Sequence, residues 1–187
     1  MSARPILVYP NKQLRAQCVD VYDWDQSLHE LAIDLRDTMR AVKAAGLAAI
    51  QIGDTRRVIV LRGAYVGLDE PLFLVNPVLA LPDYVEKDRV SLKEGCLSFP
   101  NAWANVLRWP TCTVSARSME GYSVAYKAEG EFAQALQHEV DHLDGKLLID
   151  LAGPVRRDVI RRKFKGSPQH AARVDHVPGH HQAEVRQ

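Results

Sequence analysis

Gln137-His138-Glu139-Val140-Asp141-His142 lies inside a segment, Gly130 to Asp144, that reads as one helix. Phe132, Leu136 and Leu143 recur there at helical spacing, and Gly145 is a natural C-terminal stop. On a helix, positions i and i+4 share a face, so the rings of His138 and His142 can reach one ion. Glu139 stands beside His138, and its carboxylate can approach a water on that ion without being a ligand. The rest of the fold is expected to pack around this helix.

Working outward, Thr111 to Ser118 and Tyr122 to Lys127 look like a hairpin around Glu120-Gly121. Val58-Ile59-Val60-Leu61 is a buried-strand candidate. Leu72 to Asn76 and Val78 to Leu81 read as two further strands, punctuated by Pro77 and Pro82. Ile6 to Tyr9 is a short β-prone run stopped by Pro10. Ser27 is expected to open a first helix, with Glu30 at capping-box spacing. Leu28, Leu31, Leu35, Met39 and Val42 give that helix one apolar face, and it should fail before Gly46. A last helix is expected from Pro154 to about Lys165. This order gives an α+β fold: one domain with antiparallel or mixed sheets around a central metal-binding helix, flanked by N- and C-terminal helices. Residues 1–165 form that domain. Residues 166–187 are rich in Gly, Pro, His and Gln, with little apolar content, and read as a mobile tail.

The 187 residues are 47% hydrophobic and 25% charged, with a net charge of +1, so no global field argues for nucleic acid or an anionic membrane. The first residues lack the pattern of a signal peptide, and no uncharged apolar run is long enough to span a bilayer. The three cysteines, Cys18, Cys96 and Cys112, are an odd and sparse set that suits a reducing compartment. A cytoplasmic monomer without membrane contact is the expectation.

Two histidines do not complete a catalytic metal site, which usually takes three protein ligands and keeps one position for water. Cys18, Cys96, Cys112, an acidic residue or a tail histidine could supply the third. Cys96 is the best candidate, because Gly95 before it lets other backbone come close. Cys112 falls in a strand and reads as a small core residue. Ala45-Gly46-Leu47-Ala48-Ala49-Ile50-Gln51 is small and apolar, which suits a substrate backbone pairing as an added strand. Gln51 could offer an N–H to a developing oxyanion, although a buried glutamine satisfied by backbone is the plainer reading. Asp141 faces away from the histidines and is expected to pair with a cation such as Arg108.

Gly46-Leu47-Ala48-Ala49-Ile50-Gln51, Glu94-Gly95-Cys96-Leu97-Ser98 and Gln137-His138-Glu139-Val140-Asp141-His142, in this order, resemble the three signature motifs of peptide deformylases. Ile6-Leu7-Val8-Tyr9-Pro10, Leu14-Arg15 and Gly145-Lys146-Leu147 are also similar to that family, so the resemblance covers about residues 5–165. It implies removal of the formyl group from the N-terminal formyl-methionine of new peptides. Cys96, His138 and His142 would bind the ion, usually Fe(II), with Zn(II), Ni(II) or Co(II) as substitutes. Glu139 would shuttle the proton, and Gln51 with the Leu97 backbone N–H would hold the oxyanion. Ala45, Gly46 and Gly95 would pair with the substrate backbone. One departure is Ala44, where the family usually has glycine; alanine there is strained only if φ is positive. Ile50, where proline is common in the family, is a milder one.

The alternative is a zinc peptidase of the His-Glu-x-x-His type, with Glu184 or one of His170, His176, His180 and His181 as third ligand. A cysteine hydrolase using Cys96, and a metal-stabilised binding module, are further rivals. Arg156, Arg157, Arg161, Arg162, Lys163 and Lys165 on the last helix could touch ribosomal RNA, though a solvated face is the plainer reading.

Overall fold

The computed structural model describes residues 3–81 and 86–166; of the tail expected over residues 166–187, all but Gly166 lies outside them. In chain order the main elements are α1 (Gln26–Ala41), β1 (Gly46–Ala48), β2 (Val58–Leu61), β3 (Leu72–Ala80), β4 (Val90–Gly95), β5 (Trp103–Arg108), β6 (Thr111–Arg117), β7 (Ser123–Glu129), α2 (Gly130–Leu143), α3 (Leu148–Leu151) and α4 (Pro154–Lys163). A five-stranded antiparallel sheet runs in the order β1-β2-β3-β6-β7, and β4 and β5 form a separate two-stranded sheet.

The buried run Val58 to Leu61 explains how the layers form. All four residues of β2 are fully buried because the sheet is covered on both faces. Val58 and Val60 pack with Leu28, Leu31 and Leu35 of α1. Ile59 and Leu61 alternate to the other face and pack with Leu136, Val140 and Leu143 of α2. Helix α2 therefore covers the face of the large sheet opposite α1. A third cluster joins Cys96, Phe99, Ala104 and Val106 to Leu148 and Ile149 of α3 and to Ile160 of α4. Phe99 stacks on Tyr9 with ring centroids 4.9 Å apart.

The start of α1 differs from the expectation. Asp25, not Ser27, caps it: the Asp25 carboxylate accepts the Leu28 N–H at 3.0 Å and the Ser27 hydroxyl at 2.8 Å. A carboxylate two residues earlier outcompetes the serine and also favours the positive end of the helix dipole. The helix does fail before Gly46, at Ala41, and the stop is made by Lys43. Lys43 takes the left-handed position (φ 54), its N–H bonds the Arg40 carbonyl, and the Ala44 N–H bonds the Met39 carbonyl. Among described non-glycine residues only Lys43, Asn76 and Asn101 have positive φ, so Ala44 carries no such strain. At the end of α2, Gly145 stops the helix as expected. It has φ 71, and a Cβ there would lie 2.7 Å from the Arg15 carbonyl oxygen.

Pro77 does not divide two strands. β3 passes through it with a register shift between Val75 and Val78, a bulge that absorbs the missing N–H. Asn76, at the bulge (φ 52), exchanges two hydrogen bonds of 2.8 Å with the Val21 backbone. The β4–β5 hairpin was not anticipated; β4 is mostly exposed and shows no apolar alternation. Among the described residues no helix is long and apolar enough to cross a membrane.

Candidate metal centre

Three chain segments meet on one side of α2. The helix carries His138, Glu139 and His142 on consecutive turns. Cys96 sits one residue past the end of β4. One ligand atom from each of Cys96, His138 and His142 lies within 4.8 Å of the others, and the Cys96 Sγ is 3.2 Å from the His142 Nε2. A thiolate and two imidazoles at such separations suit an ion about 2.0–2.3 Å from each. No fourth protein ligand joins this group among the described residues, as a catalytic rather than closed site requires.

The orientation of His138 comes from Glu94, whose part was not read from the sequence. His138 Nδ1 lies 3.1 Å from Glu94 Oε2, which leaves Nε2 for the site. Glu94 is itself buried and accepts from Arg108 Nε (2.8 Å) and Nη2 (3.0 Å). The remaining guanidinium nitrogen, Nη1, donates to Asp141. The expected Asp141–Arg108 pair is therefore present, and it is one arm of a longer chain: Asp141, Arg108, Glu94, His138. Burial raises the Glu94 pKa, but hydrogen bonds from His138 and Arg108 win and hold it at about 2. Glu94 is an anion at any working pH.

The two histidines are driven apart. Burial opposes charge on His138, but hydrogen bonds to Cys96 and Glu94 outweigh it and raise its pKa well above the ordinary value. Burial pushes the His142 pKa well down, helped by the charge on His138. The donors that favour positive charge on His138 would favour a bound cation as well. The donor set fits a divalent metal.

Glu139 is buried, and its Oε2 has no hydrogen-bond partner among the described residues. Burial, with Glu94 nearby, pushes its carboxyl up to about 7 against the pull of His138. Gly46 lets β1 press against this carboxylate; a Cβ there would sit 2.8 Å from Glu139 Oε1. Gln51, also buried, accepts the Ala48 N–H at 2.9 Å through Oε1. Its Nε2 donates to Ser98 Oγ (3.2 Å) and toward Cys96 Sγ (3.8 Å). The plainer reading of Gln51 holds for its carbonyl, while its amide N–H groups are turned to the centre.

A cleft of about 480 Å³ opens onto this cluster, lined by Ala45, Gly46, Gln51, Gly95, Cys96, Leu97, His138 and Glu139 among others. Its walls are two strand edges. The Arg62 N–H bonds the Ala45 carbonyl at 3.0 Å, so in the antiparallel alternation Gly46 turns both backbone groups away from β2. Ala45 lines the cleft with its carbonyl already engaged. On the other wall the Lys93 carbonyl accepts from Gln134, away from β5, so Gly95, two residues on, also faces outward. A Cβ on Gly95 would lie 2.6 Å from the Trp103 ring. Cys18 and Cys112 stay in the core as free thiols, and burial pushes both up to about 11. This agrees with the core reading of Cys112.

The family model described as Polypeptide deformylase matches residues 3–158. The chain belongs to the peptide deformylase family. Relatives named peptide deformylase include one from Alkalilimnicola ehrlichii, 37% identical over 166 residues (88% of this chain and 90% of that one). Another, from Desulforudis audaxviator, is 40% identical over 152 residues (81% and 95%). The crystal structure of a peptide deformylase from Legionella pneumophila superposes with a TM-score of 0.79 at 36% identity, covering 87% of this chain and 94% of that chain. The Ehrlichia chaffeensis peptide deformylase in complex with actinonin gives 0.78 at 32% identity, covering 88% and 97%. Family membership makes the chain a metallohydrolase and confirms the single-domain α+β fold. The zinc-peptidase alternative is not favoured, and its candidate third ligands lie outside the described residues.

Proposed function

We propose that the chain hydrolyses the N-terminal formamide of newly made formyl-methionyl polypeptides and releases formate, using a divalent ion held by Cys96, His138 and His142. The observation that carries this is the convergence of those three ligand atoms within 4.8 Å, beside a buried carboxyl on the same helix. When bound, the ion supplies Lewis acidity, which can bring the pKa of water from 15.7 to about 7. Fe(II) is the ion we favour, with Zn(II), Ni(II) and Co(II) able to substitute, since thiolate and imidazole suit all of them.

The remaining steps belong to the chain itself. Glu139 takes a proton from the attacking water and passes it to the amine nitrogen that leaves. A carboxyl near pKa 7 can hold and release a proton at working pH. The Gln51 amide and the Leu97 backbone N–H receive the oxygen that becomes negative, and losing one such donor typically costs about 3–4 kcal/mol of barrier. Glu94 keeps His138 in one orientation. The outward backbone groups of Gly46 and Gly95, flanked by Ala45, receive the peptide as a strand between β1 and β4. The partners we infer are nascent formyl-Met chains, with transient ribosome contact through the basic face of α4, where Arg161, Arg162 and Lys163 close the helix. Three buried free cysteines fit a reducing compartment, so we place the enzyme in the cytoplasm, acting as a monomer.

A formyl-Met peptide assay on anaerobically purified protein tests the proposal. Formate release should stop with a chelator and return with Fe(II), Ni(II) or Co(II). Chelator-resistant release would support a Cys96 nucleophile instead, and absence of release from the metal-loaded protein would contradict the proposal.

A further inference from the structure

The cleft carries a charge pattern that the reaction itself does not use. Lys43, Arg62 and Lys93 line it together. Against them stand three acids, two of which are committed inside: Glu94 to Arg108 and His138, and Glu139 buried beside Gly46. Glu131 is the one exposed carboxylate of the lining. Two of the cations are held in place. Arg62 donates to the carbonyls of Ala44 (3.1 Å) and Lys43 (3.1 Å), so its charge stays at the β1 wall. Lys93 Nζ rests 5.3 Å from the centroid of the Trp103 ring on the β4 wall. Lys43 is exposed at the left-handed turn that leads into β1.

Their position along the cleft follows from chain direction. Both walls run inward: Lys43 to Gly46 to Gln51 on one side, Lys93 to Gly95 to Cys96 on the other. A peptide with its formyl end at Cys96 and His138 therefore runs antiparallel to both and leaves past the lysines. At about 3.3 Å per residue, Lys93 lies roughly 10 Å outward from Cys96 along the strand. If the first residue lies beside Gly95, the third lies beside Lys93, with Lys43 and Arg62 facing it from the other wall.

We propose that Lys43, Arg62 and Lys93 form a cationic subsite that selects an acidic side chain at the third residue of the formyl peptide. This rests on the deformylase reading above and adds a sequence preference to it. Exposed charges act through screened Coulomb attraction, so the preference belongs to low ionic strength and fades with salt.

The test is kcat/KM for three amidated peptides, formyl-Met-Ala-Glu-amide, formyl-Met-Ala-Gln-amide and formyl-Met-Ala-Lys-amide, at low and high salt with metal-loaded enzyme. Amidation removes the terminal carboxylate, which would otherwise fill the subsite in all three. The expected order is Glu over Gln over Lys, about tenfold from first to last, carried mainly by KM and shrinking toward parity in high salt. Lys43→Glu with Lys93→Glu should reverse the order. Hydrolysis of all three at equal kcat/KM in low salt overturns the subsite alone. A Glu preference that survives the double charge reversal overturns it as well. No hydrolysis of any of the three overturns the deformylase reading and the subsite with it.

Discussion

At the scale of single residues, the centre depends on groups that hold others in place. Gln51 is a buried amide whose oxygen is fixed by the Ala48 N–H, so its nitrogen is aimed at Cys96 and Ser98 without freedom to turn. Gln51→Ala should lower kcat by about 10²–10³-fold while one equivalent of metal is retained; wild-type kcat in that variant would remove Gln51 from the chemistry. Glu94 presents the opposite case, in which stability and metal binding fall together. Removing it leaves the Arg108 guanidinium buried with only Asp141, and it frees the His138 ring. Glu94→Ala should cost about 3–5 kcal/mol in denaturant unfolding and weaken metal binding about 10–100-fold. Unchanged metal affinity would show that His138 needs no such brace. That His138 and His142 share one face of α2 could be read from the sequence, because i, i+4 spacing is a local signal. Glu94 was quoted within a motif, yet its work on His138 could not be read, because the two are brought together only by tertiary packing.

Among the elements, the ones with strong local periodicity were legible and the ones shaped by their surroundings were not. The apolar stripe of α1, the buried run of β2, the β6–β7 hairpin and the glycine stop of α2 all follow from short-range rules. The β4–β5 hairpin was missed because only one of its faces meets the core, through Ala104, Val106 and Arg108 of β5. Pro77 misled because a bulge rescues it. The short α3 is another element set by context. The Asp150 carboxylate accepts the Leu147 N–H at 2.9 Å and a two-pronged pair from Arg15 at 2.8 and 2.9 Å, joining the N-terminal turn to α3. Burial works against the Asp150 charge, but these bonds outweigh it and lower its pKa. A folded-state pKa below the unfolded one contributes stability above the unfolded value of about 3.9, lost as pH falls through the folded value. The pair is partly exposed, so Asp150→Asn should cost only about 1 kcal/mol at pH 7. In paired urea titrations the gap between wild type and variant should close below pH 4. A gap that persists there would mean that the ionic pairing is not its cause.

For the whole molecule, the architecture serves to bring residues 46–51, 94–98 and 137–142 to one point. The large sheet supplies the first segment at the free edge of β1, the small sheet supplies the second at the end of β4, and α2 supplies the third. That these three segments converge was legible as three motifs in order; the cleft between two strand edges was not, since an edge is defined by what fails to pair with it. The central claim is that a sulfur and two imidazole nitrogens hold one dication. Its most direct test is the absorption spectrum of Co(II)-substituted protein, compared with that of Cys96→Ser. The account predicts one bound Co(II) with a thiolate-to-metal charge-transfer band that disappears in the variant. One bound Co(II) with no such band, or a band that survives the loss of Cys96, would contradict it.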